Sequence, residues 1–510
     1  MAQDKVTTVS EYIHEKDAVD LDQALSVAGL GFYNIKYMLV LALFLIGAIM
    51  EPVGYSYILP SSRCDLGMSD TVRGFVGSIP YIGIVITSFP WGYLVDTRGR
   101  KNTVIYSSFA AGTLGVAAGF MPNLISFIIF KFLAALCIAC PGAVPYTYIG
   151  ELSPVKYRDV MLSVINAIQI CGATLVPLMA WAILPLDFRA DFGSYYFRPW
   201  RLLAIINSSI FIVAAFLLLW GPESPKFLMS QGRKEESLQV LRTMYAQNKW
   251  KSPDDFPITK LKSTEGTRKV PTSFLQSLKE QSAPLLLPPH LKWMLLNSTL
   301  MFGLFSTLNG LNMWLPDILN RVFSGTSEGT ACEVIAQGNN ETSIDGADCI
   351  DTIDPLTFMI NSIANSASGV VAIIVSVVIR FIGKKVILFA VYCTIGIFCI
   401  LINFVAQKIV FAILLSSIAL LGLAIGPVNA YSVELFPTHL RGMAVGLSMM
   451  VGRIGSVAGA NVAGALINAV CEATFYLFGG LLIFCGLISM LLPKSKEDVR
   501  RKNKIITIKL

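Results

Sequence analysis

Twelve predominantly apolar stretches, each about 20 residues long or more, dominate this 510-residue chain. A helix of that length crosses the roughly 30 Å hydrocarbon core of a bilayer while satisfying its own backbone polar groups. The stretches are 36–60, 73–94, 103–121, 124–149, 160–185, 200–220, 291–317, 354–380, 385–405, 408–432, 443–468 and 472–492. Composition agrees: 14% of residues are charged, against about a quarter in a soluble protein. The expected fold class is an all-α membrane protein with twelve transmembrane helices.

Two charged patterns repeat within it. Glu151-Leu152-Ser153-Pro154 followed by Arg158 recurs 283 residues later as Glu434-Leu435-Phe436-Pro437 followed by Arg441. Gly99-Arg100-Lys101 is echoed 284 residues on by Gly383-Lys384-Lys385, with Asp96 replaced by Arg380. This indicates an internal duplication into two six-helix halves, 36–220 and 291–492. Residues 1–35, 221–290 and 493–510 then form an N-terminal segment, a central loop and a tail. Paired repeats in a membrane usually enclose a substrate pathway, which makes transport the leading reading.

The charges follow topology rather than nucleic acid. Twelve Lys/Arg lie in 221–292 and seven after Pro493, whereas 318–353 has Arg321 alone against six acids. Basic residues collect on the cytoplasmic side, so both termini and the central loop are expected there and loop 318–353 is expected to be luminal or extracellular. The polar, acidic first 35 residues are not expected to act as a cleavable signal. On the oxidising side, Cys332 and Cys349 share one loop and are the expected disulfide; Cys64 and Cys471 are a further candidate pair. Asn340-Glu341-Thr342 is the well-placed glycosylation sequon, at Asn340. The absence of a phosphate-binding loop argues against an ATP-driven pump.

The segment from Gly92 to Lys101 joins spans 2 and 3. Gly92 permits close helix approach and Gly99 a tight turn; Asp96 suits a cation or a facing helix N-terminus. Arg98, Arg100 and Lys101 can simply fix topology. The segment resembles the loop 2–3 signature of the major facilitator superfamily, and with the duplication it reads as a conformational latch. That network comprises Gly92, Asp96, Arg98, Gly99, Arg100, Glu151 and Arg158 in one half, with Glu434 and Arg441 in the other. Ion pairs suit a separable gate because desolvation offsets much of their Coulomb gain. Gly221-Pro222-Glu223-Ser224-Pro225-Lys226 is similar to a motif of sugar porters and organic-ion transporters. Met179–Pro185, Pro199-Trp200-Arg201 and Asp22-Gln23-Ala24-Leu25 resemble the synaptic vesicle glycoprotein 2 family. Departures from that family are a shorter loop 318–353, Ala48 in place of a first-span acid, and Asn429 and Ile425 in span 10 in place of an acid and a Trp.

Intramembrane charges mark cavities or buried pairs. Glu51 has both readings open: a cavity carboxylate that binds a cation or titrates, or a carboxyl paired with a cation. Arg453, on the glycine-rich eleventh span, resembles a basic position of organic-ion transporters and can hold an anion or pair with Glu51. Lys131 is expected to snorkel to the interface. Trp181 matches a wall-forming aromatic of the family, with Tyr146 a weaker companion and Tyr148 better suited to core packing. Asn429, Tyr431, Asn361 and Asn365 are candidate hydrogen-bonding groups.

The function expected is secondary active or facilitative transport of a small organic solute, cation or anion, with protons or another ion as coupling partner. The alternative is a transporter-shaped binding or regulatory protein. The enzyme reading has little support: His14, His290 and His439 lie outside the spans, and no metal-ligand set, cofactor motif or nucleophile constellation is present. A monomer in a plasma or vesicle membrane is expected, with no nucleic-acid partner.

Overall fold

The computed structural model describes residues 18–262, 282–325, 329–341, 353–437 and 440–493. A short helix α1 (Leu21–Ala28) precedes the first six spans: α2 (Phe32–Ser61), α3 (Asp70–Arg98), α4 (Arg100–Gly119), α5 (Leu124–Leu152), α6 (Val155–Ile183) and α7 (Pro199–Leu218). Helix α8 (Lys234–Lys249) lies in the segment between the halves. Span 7 is α9 (Leu291–Phe305) and α10 (Leu315–Ser324); span 8 is α11 (Pro355–Ile382) and span 9 is α12 (Lys384–Leu401). Span 10 is α13 (Lys408–Ser416) and α14 (Ile425–Leu435), followed by α15 (Arg441–Ala469) and α16 (Cys471–Ser489). Among the described residues, nine helices are each long and apolar enough to cross a bilayer. The remaining crossings are α4, the broken span 7 and α11, which completes the twelve.

Local chemistry sets the breaks. Ser69 and Asn123 accept bonds from Val72 N and Ser126 N, capping α3 and α5, which satisfies donors that the helix itself leaves open. Gly99 and Gly383, the duplicated glycines, both take left-handed backbone at φ 98° and 94°, a region that only glycine enters without strain. Each makes a one-residue corner between spans. In span 7 a π-helical turn, Ser306–Leu311, separates α9 from α10. A Cβ on Gly310 would lie 2.6 Å from Gly459 Cα. The two backbones are therefore in near contact, the small-residue packing that holds membrane helices together.

Each half has its own apolar core. One cluster joins Leu300, Trp314, Tyr392 and Phe478 of the second half; another joins Leu41, Val104, Tyr148 and Ala214 of the first. The halves meet chiefly where α3 packs on α15 and α6 on α11. One face of α3 carries Gly74, Gly77, Tyr81 and Gly92 at helical spacing, and one face of α15 carries Gly464, Ala460, Arg453, Gly446 and Gly442. Near the start of α3 those faces touch: a Cβ on Gly74 would lie 2.9 Å from Ala460 O, and one on Gly464 3.0 Å from Asp70 O. Toward the other end Gly92, Gly442 and Gly446 face open space. The faces part, leaving a crevice open at the α8 end.

Candidate functional site

The α8 end holds the sequence-predicted latch. Arg100 Nη2 lies 3.1 Å from Asp96 Oδ1, and its Nε lies 3.1 Å from Glu151 Oε2. Its guanidinium covers the Phe227 ring at 5.3 Å. Glu223 completes the corner: its carboxylate accepts from Arg100 N at 3.0 Å and Lys101 N at 3.1 Å, where the α4 dipole favours an anion. A Cβ on Gly99 would displace the Glu223 carboxylate, the far end of a flexible side chain, so φ is the stricter demand for glycine here. Arg158 donates to Gly150 O at 2.9 Å and to Asp22 Oδ1 at 3.2 Å. Arg98 is exposed. In the second half Glu434 pairs with Lys384 and Arg441 donates to Phe436 O at 3.1 Å. Among the described residues, none of these pairs joins the first half to the second at this end.

The opposite end carries an ion network that the sequence reading missed. Arg73 of α3 reaches Asp70 Oδ1 at 2.6 Å and Asp317 Oδ1 at 3.1 Å. Arg321 of α10 reaches Asp317 Oδ2 at 2.9 Å and, across the halves, Asp70 Oδ2 at 3.1 Å. Asn468 of α15 accepts from Arg321 at 2.7 Å and donates to Asp70. Arg73 also stacks on Trp314 at 4.9 Å, and Trp314 Nε1 donates to Ala460 O at 3.2 Å. Two carboxylates and two guanidinium groups alternate in a ring that is mostly buried, with zero net charge, and straddles the halves. The only advance signal was the paired spacing Asp70-x-x-Arg73 and Asp317-x-x-x-Arg321.

The cysteine expectation is corrected here. Cys332 bonds Cys471, not Cys349, and so ties the short helix Ala331–Glu341 to the start of α16 beside Asn468. Cys64 is disulfide-bonded, but Cys471 is not its partner; Cys349 lies outside the described residues. Asn340 falls in the last turn of that short helix.

The interior candidates divide. Glu51 is buried and paired with Lys131 at 2.7 Å, with Ser208 donating to its other oxygen at 3.3 Å. Lys131 therefore does not snorkel: it is 1% exposed and lies 5.3 Å over the Tyr55 ring. The pair also takes Glu51 away from Arg453, whose two open readings were to hold an anion or to pair with Glu51. Arg453 lies between Tyr81 of the first half at 5.9 Å and Phe305 of the second at 5.2 Å. Among the described residues no carboxylate pairs with it. It sits where the α3 and α15 faces begin to part. Asn429 Nδ2 meets Met449 Sδ at 3.9 Å, one turn from Arg453, and its Oδ1 is buried without a partner. Asn309, in the π-turn, donates to Ser456 Oγ at 3.0 Å; such turns favour functional sites, and sequence reasoning did not find it. Tyr146 donates to Asn166 Oδ1 at 3.0 Å and meets Gln169, within the first half. Trp181 is 43% exposed in the last turns of α6, whereas Tyr148 is fully buried and donates to Pro222 O.

The family model of the Major Facilitator Superfamily matches residues 25–335 and 352–507. Synaptic vesicle glycoprotein 2C of Mus musculus is 27% identical over 238 residues, 46% of this chain and 32% of that protein. Synaptic vesicle glycoprotein 2A of Homo sapiens is 27% identical over 236 residues, with the same shares. The match thus spans about a third of the length of these curated relatives. Among solved structures, the inward-open xylose transporter XylE of E. coli has a TM-score of 0.65 at 16% identity, over 91% of this chain and 97% of that one. A nucleoside transporter NupG mutant has a TM-score of 0.59 at 12% identity, over 89% and 100%. The chain belongs to the Major Facilitator Superfamily.

Proposed function

We propose that this chain moves a small organic solute across a membrane by alternating access, as a secondary active or facilitative carrier. One observation carries the reading. The α3 and α15 faces touch from Asp70 to the level of Arg453 and part beyond it, so the halves enclose a one-sided crevice. A static binder has little need of separate charged networks at both ends. Arg453 favours an anionic group on the solute, because its guanidinium lies at the head of the crevice with aromatic faces beside it and, among the described residues, no carboxylate paired with it. Tyr81 and Phe305 suit a flat solute by stacking, and Asn429 and Asn309 supply polar groups nearby. The α8 end is cytoplasmic in this reading, with the basic loops, and the Cys332–Cys471 end faces the oxidising side. A vesicle membrane is in keeping with the names of the curated relatives.

The test is uptake in proteoliposomes, screening organic anions and cations with and without a pH gradient. Saturable uptake of an anion, abolished by Arg453→Ala, supports the reading; dependence on the pH gradient would show proton coupling. Tight binding of a solute with no uptake under either condition would favour the second reading, a transporter-shaped binding protein.

A further inference from the structure

Among the described residues, one that is not glycine takes a left-handed backbone: Trp250, at φ 56°. It is also 84% exposed, more than any other large apolar side chain described. A bulky side chain is disfavoured in that conformation and an indole is disfavoured in water, so two costs fall on one residue. Such outliers persist where the surroundings enforce them, and they cluster at functional positions.

The surroundings do enforce it. The N–H groups of Trp250 and Lys251 both bond to Ala246 O, closing α8. Asn248, two residues earlier, fixes α8 to the start of α2: it accepts from Tyr33 N at 3.0 Å and donates to Gly29 O at 2.9 Å and Asn34 Oδ1 at 2.8 Å. The indole is thereby held 6.2 Å from the Phe32 ring. Phe32, Ile35 and Leu39 are all exposed at helical spacing on α2, which is its lipid-facing stripe. Trp250 thus extends that stripe past the end of the span, at the depth where indoles gather in membrane interfaces. Phe32, Ala246, Gln247, Trp250 and Lys251 line a cleft of about 340 Å³. Lys251 lines it, Lys249 adjoins Trp250 with its ammonium near Gly29, and Lys36 stands one turn on from Phe32; all three are exposed. Of the nearby acids, Asp255 is engaged by Ser252 N at 3.2 Å, and Asp254 is exposed beyond it.

We propose that this cleft binds an anionic glycerophospholipid of the adjacent leaflet. The headgroup lies on Lys249 and Lys251, and an acyl chain runs along Phe32, Ile35 and Leu39. Lysines near an anionic leaflet attract it, and their stems lie along apolar surface while the ammonium stays wet. The site touches the gate: Asn34, held by Asn248, donates to Leu152 O at 2.8 Å, beside the Glu151 that pairs with Arg100. Lipid occupancy would therefore tighten the first-half network at the open end.

The test uses the full chain in phosphatidylcholine nanodiscs holding a small, equal fraction of brominated phosphatidylserine or brominated phosphatidylcholine. The difference in fluorescence between wild type and Trp250→Phe isolates this indole. Quenching at least about five-fold greater with the serine lipid is expected, the factor that one lysine near an anionic surface supplies. The preference should fall to near unity in Lys249→Gln/Lys251→Gln. Equal quenching by the two lipids in the wild type, or none by either, would overturn the proposal.

Discussion

Arg73 of the second span reaches Asp317 of the seventh at 3.1 Å, and this contact joins the two halves at the end where Cys332 bonds Cys471. Both side chains are buried. Removing one partner of a buried pair leaves an uncompensated charge and costs about 3–5 kcal/mol, whereas replacing both with apolar residues is often neutral. Thermal unfolding of the purified protein should therefore show a marked loss for Arg73→Leu and substantial recovery in Arg73→Leu/Asp317→Leu.

The same reasoning applies inside the first half. Lys131→Ala strands Glu51 without a cation and should destabilise by several kcal/mol. Adding Glu51→Gln should restore much of the melting temperature. Equal melting of the single variant and the wild type would show that the pair contributes nothing to folding.

Gly99→Ala is strained by a φ of 98° and would displace the Glu223 carboxylate from the N–H groups of Arg100 and Lys101. A loss above about 1 kcal/mol is expected, since alanine is strained at positive φ. Glu223→Ala should weaken the same corner by about 1 kcal/mol through loss of the cap on α4. Both are read as shifts of the unfolding midpoint.

Arg453→Ala should weaken binding of an organic anion about ten- to hundred-fold, the value of a hydrogen bond to a charged group. Tyr148→Phe should lower stability without changing affinity, because its hydroxyl serves Pro222 O within the protein. A binding assay in which Tyr148→Phe costs more affinity than Arg453→Ala would reverse these roles.

Peptide mapping without reduction should recover Cys332 joined to Cys471. A Cys332–Cys349 peptide would contradict the fold of this end.

Much of this was legible in the chain because the signals were local. Apolar length gave the spans, and the repeated Gly99 and Gly383 mark equivalent corners because each must take a backbone that side chains disfavour. The ring was not legible. Asp70 and Asp317 fall at or beyond the ends of apolar runs, where charges usually mark topology, and their partners lie 251 residues apart in the Arg321–Asp70 contact. Lys131 misled for a related reason. It stands two turns into the run 124–149, whose start coincides with that of α5 at Leu124, and its ammonium meets Glu51, a partner 80 residues away that no local pattern announces. Cysteine pairing depends on where loop 318–353 lands, which spacing does not encode. Trp200, unlike Trp181, is buried, and it donates to Asp65 at 3.1 Å; nothing in the motif Pro199-Trp200-Arg201 distinguished packing from pathway.

Paired spin-label distances in proteoliposomes test the central claim most directly. One pair is Arg98→Cys and Gly442→Cys at the open end; the other is Leu186→Cys and Val470→Cys at the ring end, both with Cys171→Ser. Weakening the ring with Arg321→Gln should shorten the first distance and lengthen the second, because the halves rock as bodies. Distances that stay fixed, or that change in the same direction at both ends, would contradict it.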